Sequence, residues 1–250
     1  ALIVGGLHAR EHVTTKFLLR CIEDYCYALE DGDGTFDGYN LKDLFSKYTL
    51  YIVPCLNVDG LEIVLSNLPV KKGVGIDELS EYKCNYNGVD LNRNFPLAWD
   101  KIDNGVTRPF GYFFRGYEPA SENETKAIIE LCSNNDFAFM LSIHAKGNCI
   151  YWADTYKTEF NGIYEGFTRD IATAADMIML EPTLKATGYG GGFENWFRHT
   201  HSKPGLCVEL VSVEETIEPC GAENYKDFDS FVNYEKTKYI LAAALNSSYV

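Results

Sequence analysis

The sequence lacks any apolar run of about 18 residues, which excludes a helical membrane span. It also lacks a Cys-x-x-Cys pair, so its cysteines do not form the usual structural zinc ribbon. No internal repeat, low-complexity tract or long Pro/Ser/Gly linker breaks the chain, and nothing divides it into two domains. Positive charge is scarce: 22 Lys and Arg stand against 36 Asp and Glu, a formal net charge of −14. That balance argues against a nucleic-acid backbone or an anionic membrane surface as partner. It leaves room for a cationic or small peptidic substrate. No signal-peptide pattern opens the chain. Its first residues already read as a strand, so the natural chain is expected to extend upstream. Localisation stays open between cell envelope, secreted and cytoplasmic.

What is present is material for one sizeable core: 250 residues, 46% of them hydrophobic. The eight cysteines are scattered, and Cys55, Cys149 and Cys207 sit in apolar runs, where cysteine behaves as a small hydrophobe. Reduced thiols are the expectation, although the even count keeps disulfides open.

Apolar runs and helical periods alternate. Strands are predicted at Leu2–Val4, Tyr48–Leu56, Phe137–Ile143, from Ile150, and at Leu206–Val208. Helices are predicted over 14–29, from the capping box Ser121/Glu124 to Cys132, over 160–177, and from Tyr234 to Leu245. Asp31-Gly-Asp-Gly34 reads as a turn; Phe36 stands where a calcium loop needs glycine. Residues 61–88 show no period, and a stretch that long is more often functional than idle. Strands alternating with helices predict an α/β fold, with a mixed, largely parallel twisted sheet of about eight strands and helices on both faces. His8, Asn57, His144 and Glu209 each fall at or just past an apolar strand. If those strands are parallel neighbours, all four converge on one edge of the sheet.

Chemistry is concentrated first in residues 1–12. Gly5 and Gly6 end the opening strand. His8 and Glu11 follow three residues apart, with Arg10 between them and His12 just after. Imidazole nitrogen and carboxylate oxygen are ordinary zinc ligands, and a catalytic zinc takes three protein ligands plus water. Two metal readings are open here. His8 to His12 also matches His-x-x-Glu-His, the inverted zincin pattern, which needs one helix through both histidines. The preceding Gly-Gly argues for a loop instead.

Read in order, the residues give His8-x-x-Glu11, Asn57-x-Asp-Gly60, Asp90-x-Asn-Arg-Asn94, Ser121-Glu-x-Glu-Thr125, Ser142-Ile-His144, a glycine-rich loop at 188–192, and Val208-Glu-Leu210. This series resembles the zinc carboxypeptidases of the carboxypeptidase A type, over nearly the whole chain. Gly88 to Pro96 and His144 to Trp152 look most like the bacterial branch that cuts γ-D-glutamyl–diamino acid bonds in peptidoglycan peptides. The resemblance implies a carboxypeptidase-like fold and a single catalytic domain over 1–250, without its N-terminal portion. It implies one zinc ion per chain held by His8, Glu11 and His144. Glu209 would be the general base, a role that fits a carboxylate desolvated at the end of an apolar strand. Asn92 and Arg93 would bind the substrate's terminal carboxylate, for which the planar arginine fork is suited. Arg10, beside the ligands, would also face substrate, and the partner would be a peptide or a stem peptide. A monomer is expected.

Some positions depart from the family pattern. The arginine that usually donates to the developing oxyanion has Lys83 as its counterpart here. Tyr189 stands in the loop that carries the family's mobile tyrosine, and Gly190 to Gly192 would give that loop the freedom of a lid. Glu194 falls where the family lines the pocket of the released residue, and a carboxylate there would favour an amino-bearing side chain. His12 reads as structural or as a support behind the ligands, and His199 and His201 as surface residues. The main reading is a zinc peptidase acting beside a free carboxylate. The rivals are an amidohydrolase or deacylase on the same scaffold, which has less need of Arg93, and a non-catalytic peptide-binding relative, which predicts loss of a ligand or base.

Overall fold

Leu2, Ile3 and Val4 are all fully buried, as a strand with neighbours on both edges and layers on both faces requires. They form β1 (Leu2–Val4) in a computed structural model that describes residues 1–30, 32–66, 81–101, 108–111, 113–155, 157–181, 190–211 and 232–250. Asp31, residues 67–80 of the irregular stretch, Gly188, Tyr189 and Cys220 lie outside the described residues. The other strands are β2 (Thr35–Phe36), β3 (Tyr39–Asn40), β4 (Tyr51–Val53), β5 (Met140–Lys146), β6 (Cys149–Tyr151), β7 (Ile178–Leu180) and β8 (Gly205–Val211). The helices are α1 (Val13–Glu30), α2 (Leu41–Lys47), α3 (Val58–Leu65), α4 (Asn123–Asn134), α5 (Asn161–Ala175), α6 (Phe193–His201), α7 (Tyr234–Thr237) and α8 (Tyr239–Asn246).

Among the described residues the main sheet has six strands, ordered β4-β1-β5-β8-β6-β7, and β2 and β3 form a separate hairpin. The four strands β4, β1, β5 and β8 run parallel, while β6 is antiparallel to β8 and parallel to β7. The expected mixed, largely parallel sheet is therefore present, with six described strands where about eight were predicted. From β1 the chain goes outward to β4, then returns to β5 on β1's other side. That reversal opens a crevice at the carboxyl ends of β1 and β5, where α/β sheets hold ligands.

Alternation along the strands divides the core in two. Ile3, Leu141, Ile143, Leu206, Val208 and Leu210 face a cluster with α1, α5, α7 and α8. Leu2, Val4 and Met140 face a second cluster with α4, α6, Leu91 and Phe95. Ser142 and His144 share Met140's parity, so β5 points them toward α6. Cys207 and Glu209 are their register partners on β8.

Several boundaries differ from the sequence reading. β5 starts later than predicted and continues through His144 to Lys146, so His144 lies within the strand and not past it. Asn57-x-Asp-Gly60 starts a helix, and part of the 61–88 stretch that shows no period is α3. The Asn57 carboxamide accepts the Gly60 N–H at 3.0 Å and donates to Leu7 O and Cys84 O at 3.2 and 3.0 Å. It thus ties three segments beside the crevice. Ser121 and Glu124 do not form a capping box. Glu122 holds the N-cap position without a side-chain cap, because Ser121 Oγ donates to its carboxylate at 2.6 Å and Glu124 accepts from Asn85 at 3.1 Å. The described cysteines (Cys21, Cys26, Cys55, Cys84, Cys132, Cys149 and Cys207) are free thiols. No described helix is long and apolar enough to cross a membrane.

Candidate active site

β1 ends at Val4, and the Gly5–His12 segment turns over the sheet edge before α1 begins at Val13. Pairing with the 82–83 segment holds this turn: Arg10 N–H donates to Tyr82 O at 2.9 Å and Ala9 N–H to Lys83 O at 3.4 Å. His8, Glu11 and His144 are brought together, all buried. His8 Nδ1 lies 2.8 Å from Glu11 Oε1, and His144 Nδ1 lies 3.1 Å from Glu11 Oε2. Both imidazoles thus aim the same ring nitrogen at one carboxylate.

The three ligand atoms lie within 4.8 Å of one another. Their separations approach the edge of roughly 3.3 Å expected of a tetrahedron with zinc bonds near 2 Å. The donor set, one carboxylate and two imidazoles, is that of an open catalytic zinc site. The residues therefore fit the ion. His12 belongs to no metal-competent group among the described residues, and α1 starts after it, so no helix face joins it to His8. The inverted zincin reading falls with that geometry. A second group, His144, Glu194 and Cys207, is also close enough for a metal. Burial, with the Glu194 and Glu209 carboxylates beside it, holds the Cys207 thiol well above its ordinary pKa, which makes it a poor ligand.

The far nitrogen of each imidazole is held by a buried carboxylate. His8 Nε2 meets Asp90 Oδ1 at 3.1 Å, and His144 Nε2 meets Glu194 Oε1 and Ser142 Oγ, each at 3.0 Å. Such partners fix the tautomer and ring orientation of metal-binding histidines. Asp90 and Ser142 carried no individual role in the sequence reading. Their only sequence signal was a place two residues before Asn92 and His144.

Burial disfavours every charged form here, yet the pairings override it. The Glu11 and Asp90 carboxylates raise the His8 pKa, and Glu11 with Glu194 holds His144 well above its ordinary value. In return the two histidines keep Glu11 well below the carboxylate range. Asp90 is lowered against its burial chiefly by His8, and Glu194 is lowered to about 2 by His144. A dication at the three inner ligand atoms would displace protons from this network.

Glu209 is the opposite case. Burial pushes it up to about 7, with His144 opposing and Glu11 adding to the rise. Its Oε2 accepts the Lys146 N–H at 2.7 Å, and it stands beside His144 in strand register. A carboxylate with a near-neutral pKa next to the ligand set is placed as a general base would be.

Lys83 Nζ, on a partly exposed side chain, lies 3.8 Å from Glu11 Oε1. Arg93 is half-buried on a 3-10 turn, Leu91–Arg93, capped by Asp90. Its Nη1 donates to Asn92 O at 2.6 Å, and its guanidinium lies 5.0 Å over the Phe113 ring. Arg10 is half-buried in the turn between His8 and Glu11.

Two of the expected substrate contacts, Asn92 and Glu194, are buried and have partners within the chain. Asn92 is buried: its Oδ1 accepts the Phe193 N–H at 2.7 Å and its Nδ2 donates to Glu194 at 3.4 Å. Glu194, 5% exposed, faces His144, because the first turn of α6 packs against β5 and directs it inward. The glycine loop also differs from a free lid where it is described. Gly191 exchanges hydrogen bonds with Leu97 O and Phe95 N–H at 2.8 and 2.9 Å. Its φ is +72°, and a Cβ there would overlap the Arg93 backbone. Tyr189 lies outside the described residues.

Comparison with known proteins agrees with this geometry. The family model "Zinc carboxypeptidase" matches residues 1–217. The γ-D-glutamyl-L-diamino acid endopeptidase 1 of Lysinibacillus sphaericus is 30% identical over 221 residues, 83% of this chain and 53% of that protein. The uncharacterized protein YqgT of Bacillus subtilis (strain 168) is 32% identical over 225 residues, 82% of this chain and 56% of that protein. The chain thus spans about half the length of these relatives. In fold it is similar to thrombin activatable fibrinolysis inhibitor, with a TM-score of 0.73, 18% identity, and 98% and 61% of the two chains covered. It is likewise similar to murein-tripeptide amidase MpaA from Escherichia coli O157, with a TM-score of 0.54, 21% identity, and 98% and 79% covered. The match over residues 1–217, with the buried His8–Glu11–His144 set beside it, shows that the chain belongs to the zinc carboxypeptidase family.

Proposed function

We propose that this chain is a zinc peptidase that hydrolyses a peptide or isopeptide bond next to a free carboxylate, on cell-wall stem peptides ending in a diamino acid. The observation that supports the reading is the register pairing of Glu209, whose pKa is pushed up to about 7, with His144 of the convergent His8, Glu11 and His144 group. His8, Glu11 and His144 would hold zinc, which when bound supplies a polarised water and carbonyl. Glu209 takes the proton from the attacking water and passes it to the leaving amine. Lys83 offers a cation to the developing oxyanion. Arg93 grips the substrate's free carboxylate, with Arg10 alongside. The name of the Lysinibacillus relative favours the γ-D-glutamyl–diamino acid bond.

The test uses zinc-loaded protein with two substrates, a γ-D-glutamyl–diamino acid stem peptide and a plain peptide ending in lysine. Release of diamino acid from the first alone is the expected result. Cleavage of only the second assigns a general metallocarboxypeptidase. Cleavage of neither, with zinc bound, overturns the catalytic reading in favour of a peptide-binding relative.

A further inference from the structure

Glu194 has an unusual setting for a residue first matched to substrate recognition. It lies in the first turn of α6, at the positive end of the helix dipole, and is 5% exposed. Its Oε1 is 3.0 Å from His144 Nε2, the nitrogen that points away from Glu11. One turn further along α6 is Arg198, itself 2% exposed. Its guanidinium donates to Gly205 O and Asn195 Oδ1, and its charge attracts that of Glu194. Asn92 adds a donor on the other side at 3.4 Å while its own Oδ1 anchors Phe193 N–H. A buried cation, an amide and an imidazole thus surround one carboxylate, and solvent is nearly absent.

We infer that Glu194 is a positioning residue: it fixes His144 as the Nδ1 ligand from behind, as Asp90 fixes His8. The inference rests on the reading of His8, Glu11 and His144 as the zinc ligands. Imidazole can offer a metal either nitrogen, and an Nε2–H···carboxylate bond selects the tautomer whose Nδ1 lone pair is free and raises its basicity. His144 sits in a rigid strand, so its Cβ cannot move to compensate for a rotated ring. The interaction is therefore expected to show in metal affinity before it shows in catalysis. The Glu194–His144 link also explains why Asn92, in the substrate-anchor motif, has its carboxamide turned inward: it steadies Glu194.

Zinc affinity measured by competition with a chromophoric chelator tests this, on Glu194→Ala, Glu194→Gln and Glu194→Asp variants of the full chain. Loss of the partner should weaken zinc binding by about 10–100-fold in Glu194→Ala. Glu194→Gln, whose carbonyl still accepts the Nε2–H, should lose less, and the visible spectrum of the cobalt(II)-substituted Glu194→Ala protein should shift. Metal-free melting temperatures separate this from a general loss of structure, and if Glu194→Ala does not fold the Gln and Asp variants decide alone. Wild-type zinc affinity in every folded variant overturns the inference. His144→Ala is the control for the reading beneath it. If that variant also binds zinc as wild type, His144 is no ligand and both ideas fail; if it loses zinc while the Glu194 variants do not, only the positioning role fails.

Discussion

At the scale of single residues, the site contrasts two kinds of carboxylate. Glu11, Asp90 and Glu194 are paired with imidazoles and held low, whereas Glu209 has no such pairing and is pushed up to about 7. A carboxyl group whose pKa is raised on folding weakens the fold wherever the unfolded chain would already be ionised. For Glu209 that penalty is absent below about pH 4.5, grows through the interval up to 7, and is then constant. Glu209→Gln should therefore stabilise the metal-free protein at pH 8 by about 1–2 kcal/mol, a figure reduced from the full shift because the side chain is only partly buried. The same change should leave stability at pH 4 unaltered and remove hydrolysis. Melting curves in chelator at the two pH values, beside a turnover assay, check both halves. Arg93 gives a second prediction. Its fork can bind both oxygens of a carboxylate where an ammonium cannot, so Arg93→Lys should raise KM about 30–100-fold with little change in kcat.

At the scale of elements, the site depends on tight joins between segments distant in sequence. Gly191 is one, because its left-handed backbone lets the chain pass against the carbonyl of Arg93. Gly191→Ala should cost about 2–3 kcal/mol, from backbone strain and the forced separation, and should also raise KM by displacing the Arg93 turn. A Tm loss with unchanged KM would show that the contact serves folding alone. Asn57 is another join, capping α3 while holding the Leu7 and Cys84 carbonyls. Asn57→Ala should destabilise by about 2–4 kcal/mol by removing a cap and leaving buried carbonyls unbonded, measurable by denaturant midpoint.

At the scale of the whole molecule, the parallel core sets where the chemistry can occur. β1, β5 and β8 lie side by side, so residues far apart in the chain meet at one sheet edge. Zinc binding to such a preformed set should raise stability by mass action, about 4 kcal/mol when free zinc exceeds Kd a thousandfold. Chelation should accordingly lower Tm by on the order of 10 °C, and added zinc should restore it. A chelator-insensitive Tm would mean that the three side chains do not hold a metal.

Much of this could be read from the sequence because it is written in local pattern. Apolar runs stopping at glycine or histidine marked the strands, and the 3.6-residue period marked α1 and α5, whereas α4 was read from a capping box that its residues do not form. The spacing His8-x-x-Glu11, followed by His144 and Glu209 after apolar strands, pointed to the four side chains that the fold brings to one place. Strand lengths were less legible, since β5 continues through polar His144 where its pairing with β8 runs on to Lys146. The parts that only the tertiary structure decided depend on what faces what across the chain. Nothing local says that Asp90 stands behind His8, that Glu194 turns to His144, or that Gly191 lies against Arg93. Those choices follow from the packing of α6 against β5 and of one loop against another, where burial leaves each charge few partners and geometry selects among them.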